Sequence, residues 1–353
     1  MFSSLPFSYM FLMVMGVGTL LSVSSVHWLA IWAGLEINLI GFLPMLVYQK
    51  SVSESESAVK YFIVQALGSS FLIFGSLLVF SMSFTWDVFN WTQPTSNLGF
   101  IFLVAGLCTK LGLFPFHYWL PSVMAGLPWI TCLLLATWQK LAPLFLMVCL
   151  LDLNQSSYLI IMLCLISAGS SLMGGVGGLN QTQIRALLAY SSISHLGWMV
   201  FAIMSSEWAM KVYLMIYVFI SVSMFMSLWY SDSGSMKNIY NLKSSDFMQM
   251  SVMVLLLSLG GLPPLLGFVS KWLVITSGVS IPWLFIIFLL IVGSLLSLFY
   301  YLSLFFSIFL GVTKKYSFGN KYLSNFNMMI IFINAVNIFG GLMILGTSIL
   351  IQI

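Results

Sequence analysis

The stretch NLGFIFLVAGLCTKLGLFPFHYWLP, residues 97–121, decides the fold. A helix needs about 20 apolar residues to cross a bilayer, and this run is long enough. Yet it holds one cation, Lys110, and then Leu111-Gly112-Leu113-Phe114-Pro115, which should break the helix. Proline removes a backbone donor and crowds the preceding turn, while glycine adds slack. Broken backbone at membrane depth survives only where protein or water surrounds it. A segment of this kind belongs inside a bundle of spanning helices.

The composition agrees. Of 353 residues, 61% are hydrophobic and 6% charged, whereas soluble domains run near a quarter charged. Such a chain cannot clothe a globule of its size in a wetted surface, so lipid is its solvent. About eleven spans follow, at roughly 7–24, 26–47, 57–83, 97–121, 128–150, 156–178, 182–203, 207–230, 247–278, 281–311 and 325–351. No connection is long enough for a soluble domain, so the expected architecture is all-α: one polytopic membrane domain over residues 1–353. Residues 7–23 read as a first span, not a removable signal. The hydrophobicity, the 23 methionines and the single arginine point to synthesis inside an organelle.

Loop charge sets an orientation. Connections on the N-terminal side carry Lys50, Lys60, Arg185, Lys237, Lys243, Lys314, Lys315 and Lys321, against Lys211 alone on the other. The positive-inside bias predicts an N-terminus on the negative side of the membrane and a C-terminus opposite. The cations form no basic stripe, which argues against nucleic acid as a partner. Cys108, Cys132, Cys149 and Cys164 lie in apolar runs without metal-ligand spacing, so buried thiols are expected. Trp28, Trp32, Trp119, Trp129 and Trp283 fall near predicted interfaces and read as belt residues.

A second interruption sits in span nine, at Leu259-Gly260-Gly261-Leu262-Pro263-Pro264. The shared Leu-Gly-x-x-Pro pattern pairs Gly112 and Pro115 with Gly260 and Pro263, with Pro264 following. An offset of five spans makes two five-helix repeats of inverted topology, about 7–150 and 156–311, followed by a C-terminal helix at about 325–351. Paired interruptions in inverted repeats mark a transporter's ion site.

Four ionisable residues fall well inside spans: Glu36, Lys110, Lys140 and Lys271. A lone charge at the centre of an inserting helix costs roughly 2.5–3.5 kcal/mol, so such residues face a bundle interior or water. One carboxylate and three lysines suit proton handling better than a metal, since an ammonium has no lone pair to give. Desolvation disfavours the ammonium and a neighbouring carboxylate favours it. Closing and opening a Glu36–Lys110 contact would therefore switch the lysine between holding and releasing a proton. At 4 Å and an effective dielectric near 20, that contact is worth about 4 kcal/mol. His117, two residues after Pro115, and His195, in the polar run of span seven, are further candidates for a hydrated path. Ser69, Ser70, Asn38 and Gln139 read as helix-packing groups. No nucleotide loop, haem ligation or iron–sulfur cysteine set occurs, so no cofactor or metal is expected in this chain.

WLAIWAGLEIN (28–38), SAVKYFIVQALGS (57–69), KLGLFPFHYWLPSVMAGLPW (110–129), TWQKLAP (137–143), GGLNQTQIRALLAYSSISHLGWM (177–199) and SLGGLPPLLGFVSKWLV (258–274) together span helices two to nine. The chain resembles the antiporter-like, proton-pumping subunits of respiratory complex I (NADH:ubiquinone oxidoreductase), within them the animal mitochondrial subunit 2 branch. The resemblance implies a core membrane-arm subunit that couples NADH-to-ubiquinone electron transfer to proton translocation across the mitochondrial inner membrane. It implies no quinone pocket here, with NADH, FMN, iron–sulfur clusters and ubiquinone held by other subunits. Other membrane-arm subunits, the lipid bilayer and anionic lipid such as cardiolipin are the expected partners. Glu36 and Lys110 become the coupling pair, Lys140 the central relay and Lys271 the site at the second break. The broader family shows fourteen spans, so the resemblance implies that the three N-terminal ones are missing here, as in animal mitochondrial versions. Two other classes stay open: a free-standing cation/proton antiporter, and an assembly subunit with no proton path of its own.

Overall fold

The computed structural model describes residues 7–48, 51–87, 97–153, 156–231, 246–279, 284–317 and 334–343. Among these residues the regular structure is helix. Two compact units emerge, Met1–Leu163 and Cys164–Ile353.

In the first unit the helices are α1 (Ser8–Ser24), α2 (Trp28–Leu46), α3 (Val52–Ser83), α4 (Asn97–Leu111), α5 (Trp119–Gly126), α6 (Trp129–Ala136) and α7 (Trp138–Leu153). The helix α8 (Ser157–Gly178) crosses into the second unit, which continues with α9 (Ile184–Ser205), α10 (Glu207–Ser231), α11 (Asp246–Gly260), α12 (Leu266–Gly278) and α13 (Leu284–Ser317). Among the described residues, seven helices are long and apolar enough to cross a membrane unaided: α2, α3, α6–α7 taken together, α8, α9, α10 and α13. The helices α1, α4 and α11 are apolar but shorter. For α4 and α11 the shortness has a cause, because each is the first half of an interrupted span. The expected last span falls mostly outside the described residues, and its part at 334–343 is helical. Trp283, Lys50, Lys237, Lys243 and Lys321 also lie outside them.

Small residues let the helices of the first unit touch backbone to backbone. A Cβ on Gly18 would stand 2.5 Å from the Asn38 amide nitrogen, and one on Gly34 2.6 Å from that of Ser22. Only glycine permits the α1–α2 crossing seen. Serines bond back into their own helices, Ser69 (buried) to the Ala66 carbonyl and Ser70 (exposed) to that of Leu67, both at 2.8 Å, which satisfies the hydroxyl within the helix. The start of α3 precedes the expected span at residue 57. Ser51 caps it, its hydroxyl accepting from the Glu54 amide at 3.3 Å, so Glu54 and Glu56 join its first turns. The α1–α2 turn meets the end of α3 through Trp28 N–H to Trp86 O at 3.2 Å and His27 Nδ1 to Asp87 Oδ1 at 2.7 Å. An up-down-up order of α1, α2 and α3 requires that meeting.

Two features depart from the sequence reading. Trp28, Trp119 and Trp129 are buried and so are not belt residues; the apolar environment they occupy is protein. Cys149 is exposed, while Cys108, Cys132 and Cys164 are buried.

Candidate functional site

Each unit contains a broken helix, and each break has the same backbone. In α4, the N–H groups of Gly112 and Leu113 both bond to the Cys108 carbonyl, at 2.9 and 3.0 Å. In α11, those of Gly261 and Leu262 both bond to the Leu257 carbonyl, at 3.1 and 3.2 Å. Gly112 (φ 74°) and Gly261 (φ 81°) hold the left-handed conformation that this C-terminal motif requires. The Phe114–Pro115 and Pro263–Pro264 peptides are both cis. Gly112 thus matches Gly261, not Gly260, and Pro115 matches Pro264. The expected pairing is one residue out of register: Gly260 is still helical, and Gly261 turns the chain.

A third break falls where an unbroken span was expected. The segment 128–150 divides at Thr137, between α6 and α7. Thr137 Oγ1 donates to the Leu133 carbonyl at 2.7 Å, and Lys140 N–H reaches back to the Thr137 carbonyl at 3.3 Å. Further on, Pro143 has no N–H for the Gln139 carbonyl and crowds it. Pro143 was the sequence signal for local disruption. Lys140 therefore lies in the first turn of a new helix.

The first break is sealed by neutral donors. Trp119 Nε1 donates to the Thr109 carbonyl at 3.1 Å, and Gln65 Nε2 to the Lys110 carbonyl at 3.4 Å. These are carbonyls that the end of α4 leaves without helical partners. The Lys110 ammonium then turns to α2, where Nζ stands 3.5 Å from Glu36 Oε1, with side chains 4% and 25% exposed. Lys110 and Lys140, with Leu35, Asn38, Gln65 and Gln139, line one cavity of about 20 Å³ counted as space for a water's centre, room for about one molecule. Asn38 and Gln139 face one another across it. Asn38 Nδ2 donates to Gln139 Oε1 at 2.9 Å, and Gln139 Nε2 to Asn38 Oδ1 at 3.2 Å. Sequence reading treated these amides as packing groups and missed the pairing. Their positions beside Glu36 and Lys140 were the available signal.

Of the two histidines, His117 is buried, its Nδ1 3.2 Å from the Pro115 carbonyl and its ring 4.1 Å from that of Tyr118. It braces the residue after the break. In the second unit, Lys271 Nζ donates to the Gly260 carbonyl at 2.9 Å, so the ammonium caps the helix that ends there. Asn337 Oδ1 accepts from Leu266 N–H at 3.3 Å and covers the start of α12. His195 shares a 2.8 Å hydrogen bond with Tyr213 Oη, and its ring lies 5.3 Å from that of Tyr217. The structure thus gathers Glu36, Lys110 and Lys140 around one region of the first unit. In the second, Lys271 and His195 occupy separate settings.

Apolar spanning helices, a cis-proline break in each unit and buried lysines beside discontinuities define a class of ion-translocating membrane proteins. The transmembrane family described as NADH:quinone oxidoreductase/Mrp antiporter matches residues 25–297, and the chain belongs to it. It is 36% identical to NADH-ubiquinone oxidoreductase chain 2 of Locusta migratoria over 324 residues, covering 90% of this chain and 89% of that one. To the protein of the same name from Anopheles gambiae it is 39% identical over 320 residues, with the same two coverages. A chain in the structure of respiratory complex I from Thermus thermophilus with bound aureothin matches at TM-score 0.81 and 26% identity. That match covers 95% of this chain and 78% of that one.

Proposed function

We propose that the chain is a core membrane-arm subunit of a proton-translocating NADH:ubiquinone oxidoreductase, working through a Glu36–Lys110–Lys140–Lys271 relay. The observation that carries the relay is the Lys110–Glu36 contact at 3.5 Å, in a unit where Lys110 and Lys140 line one water-sized cavity. Redox chemistry in other subunits, which hold the NADH, FMN, iron–sulfur and ubiquinone sites, alters the contact. Parting the charges removes what offsets the burial of the ammonium, and the proton moves on. The cavity supplies a path of one water between the two lysines. Lys271, held by a backbone carbonyl at the second break, is the relay's member in the second unit; His117 and His195 are candidates to line water in the first and second unit respectively. The protein resides in the mitochondrial inner membrane with its N-terminus in the matrix and its C-terminus in the intermembrane space. Its partners there are neighbouring membrane-arm subunits and lipid, cardiolipin among them.

The test is Lys140→Met, which keeps the apolar stem and removes the ammonium. In assembled complex, protons pumped per NADH should fall or coupled turnover should stop. Full assembly with unchanged stoichiometry and rate would remove Lys140 from the relay. Sodium flux through vesicles containing this chain alone would establish the antiporter reading in its place.

A further inference from the structure

The helix α2 makes two polar side-chain contacts with lysine-bearing helices. Glu36 reaches Lys110 at the end of α4. Asn38, two residues on and so on a different helical face, reaches Gln139 in the first turn of α7. Gln139 directly precedes Lys140. That first turn follows the Thr137 break, and early helical N–H groups have no intrahelical partner. Side chains therefore share with the Lys140 N–H bond to the Thr137 carbonyl the work of holding that turn in place. Gln139 contributes both amide atoms to Asn38 and also places Nε2 3.6 Å from Met15 Sδ on α1. Asn38 is buried at 4% exposure, in an apolar setting where an unmatched amide is expensive. Paired amides commonly do no more than glue membrane helices together. This pair does something more specific, because it lines the cavity shared by Lys110 and Lys140.

We propose that Asn38 and Gln139 form a positioning clasp that ties the Glu36 helix to the start of the Lys140 helix and sets the gap between Lys110 and Lys140. Any shift of α2 that parts Glu36 from Lys110 then also pulls on the turn that carries Lys140. The contact change at one lysine and the placement of the next become one mechanical event. Neither amide carries a proton in this scheme. Both are positioning residues, and the inference rests on the relay proposed above.

The clasp spans one short and one long amide side chain, which makes its test specific. Asn38→Leu removes it, and Gln139→Met removes it at nearly constant volume, so the second variant serves if the first fails to assemble. Asn38→Gln with Gln139→Asn restores the same total reach with the order reversed. In assembled complex at equal content, each single variant removes both hydrogen bonds of the clasp and should slow coupled NADH oxidation roughly five- to thirtyfold, the population factor of one to two net hydrogen bonds. The exchanged pair should recover most of that loss, which a general packing defect would not do. Single variants with wild-type coupled turnover, or an exchanged pair no better than the singles, would overturn the clasp. Lys140→Met run alongside separates the two failures. If it abolishes pumping while the clasp variants do not matter, the clasp alone is wrong. If it too changes nothing, the relay is wrong.

Discussion

At Gly112 the last carbonyls of α4 are covered by two neutral donors, Trp119 and Gln65, which come from other helices. At Gly261 the carbonyl of Gly260 is covered by an ammonium, that of Lys271, eleven residues further along. The backbone is the same in both places, down to the glycine dihedral and the cis proline. What differs is the use of the lysine. In the first unit the break is closed without it, so Lys110 faces Glu36, a side chain on another helix. In the second, the lysine is part of the closure, and its partner is backbone. One contact joins two side chains and the other joins a side chain to the backbone.

The largest expected effect comes from Glu36→Gln, which removes the charge from the contact between side chains. A charge pair at this separation is worth about 4 kcal/mol at an effective dielectric near 20, and removing one member of a buried pair leaves the other uncompensated. Coupled NADH oxidation in the assembled complex should fall by roughly two to three orders of magnitude. Adding Lys110→Met should cost little more, because the two residues act as one unit. Losses that simply sum over the two substitutions would mean that the contact is not the working element. No single side-chain change can do the same to Lys271, since its acceptor is a main-chain oxygen.

The glycines offer the next test. An alanine at Gly112 or Gly261 meets the same dihedral strain, on the order of 1–3 kcal/mol. The neighbours are different. A Cβ at Gly112 would stand 2.9 Å from Leu120 Cδ1, the end of a flexible side chain, whereas one at Gly261 would stand 2.9 Å from Lys271 Nζ. Gly261→Ala should therefore also disturb a charge-assisted hydrogen bond, for roughly 1.5–3 kcal/mol more. Thermal inactivation of the solubilised complex should come at a distinctly lower temperature for Gly261→Ala than for Gly112→Ala. Equal midpoints would show that Lys271 does not seal its break.

The comparison also separates what residue types reveal from what they hide. Lys110, Lys140 and Lys271 stood out because a charge in an apolar run has few explanations. The breaks stood out because glycine and proline act on their own backbone. The register of the second break was misread, since Gly260 and Gly261 are chemically identical and only the folded chain shows which one turns. The interruption at Thr137 went unpredicted because threonine tolerates many conformations, and Pro143 acts on the Gln139 carbonyl, two residues past the break. Asn38–Gln139 spans 101 residues of sequence, and no local pattern encodes a partner that far away. Trp119 was misassigned for a related reason. A tryptophan near a predicted interface has the same sequence signature whether it meets headgroups or a freed carbonyl.

Trp119 supplies the smallest and sharpest prediction. Its indole N–H donates to the Thr109 carbonyl, and its ring packs 5.7 Å from that of Tyr61. Trp119→Phe keeps an aromatic ring and removes the donor. The expected loss is about 1 kcal/mol of stability, with the smaller ring's packing defect added, read as a modest drop in thermal midpoint. Turnover per complex should hardly change, because the neutral seal supports the break without touching Glu36 or the Lys110 ammonium. A large fall in coupled turnover with unaltered stability would invert the reading. It would mean that the carbonyl end of α4 works together with the lysine, and that the first break, like the second, uses its seal as part of the charge site.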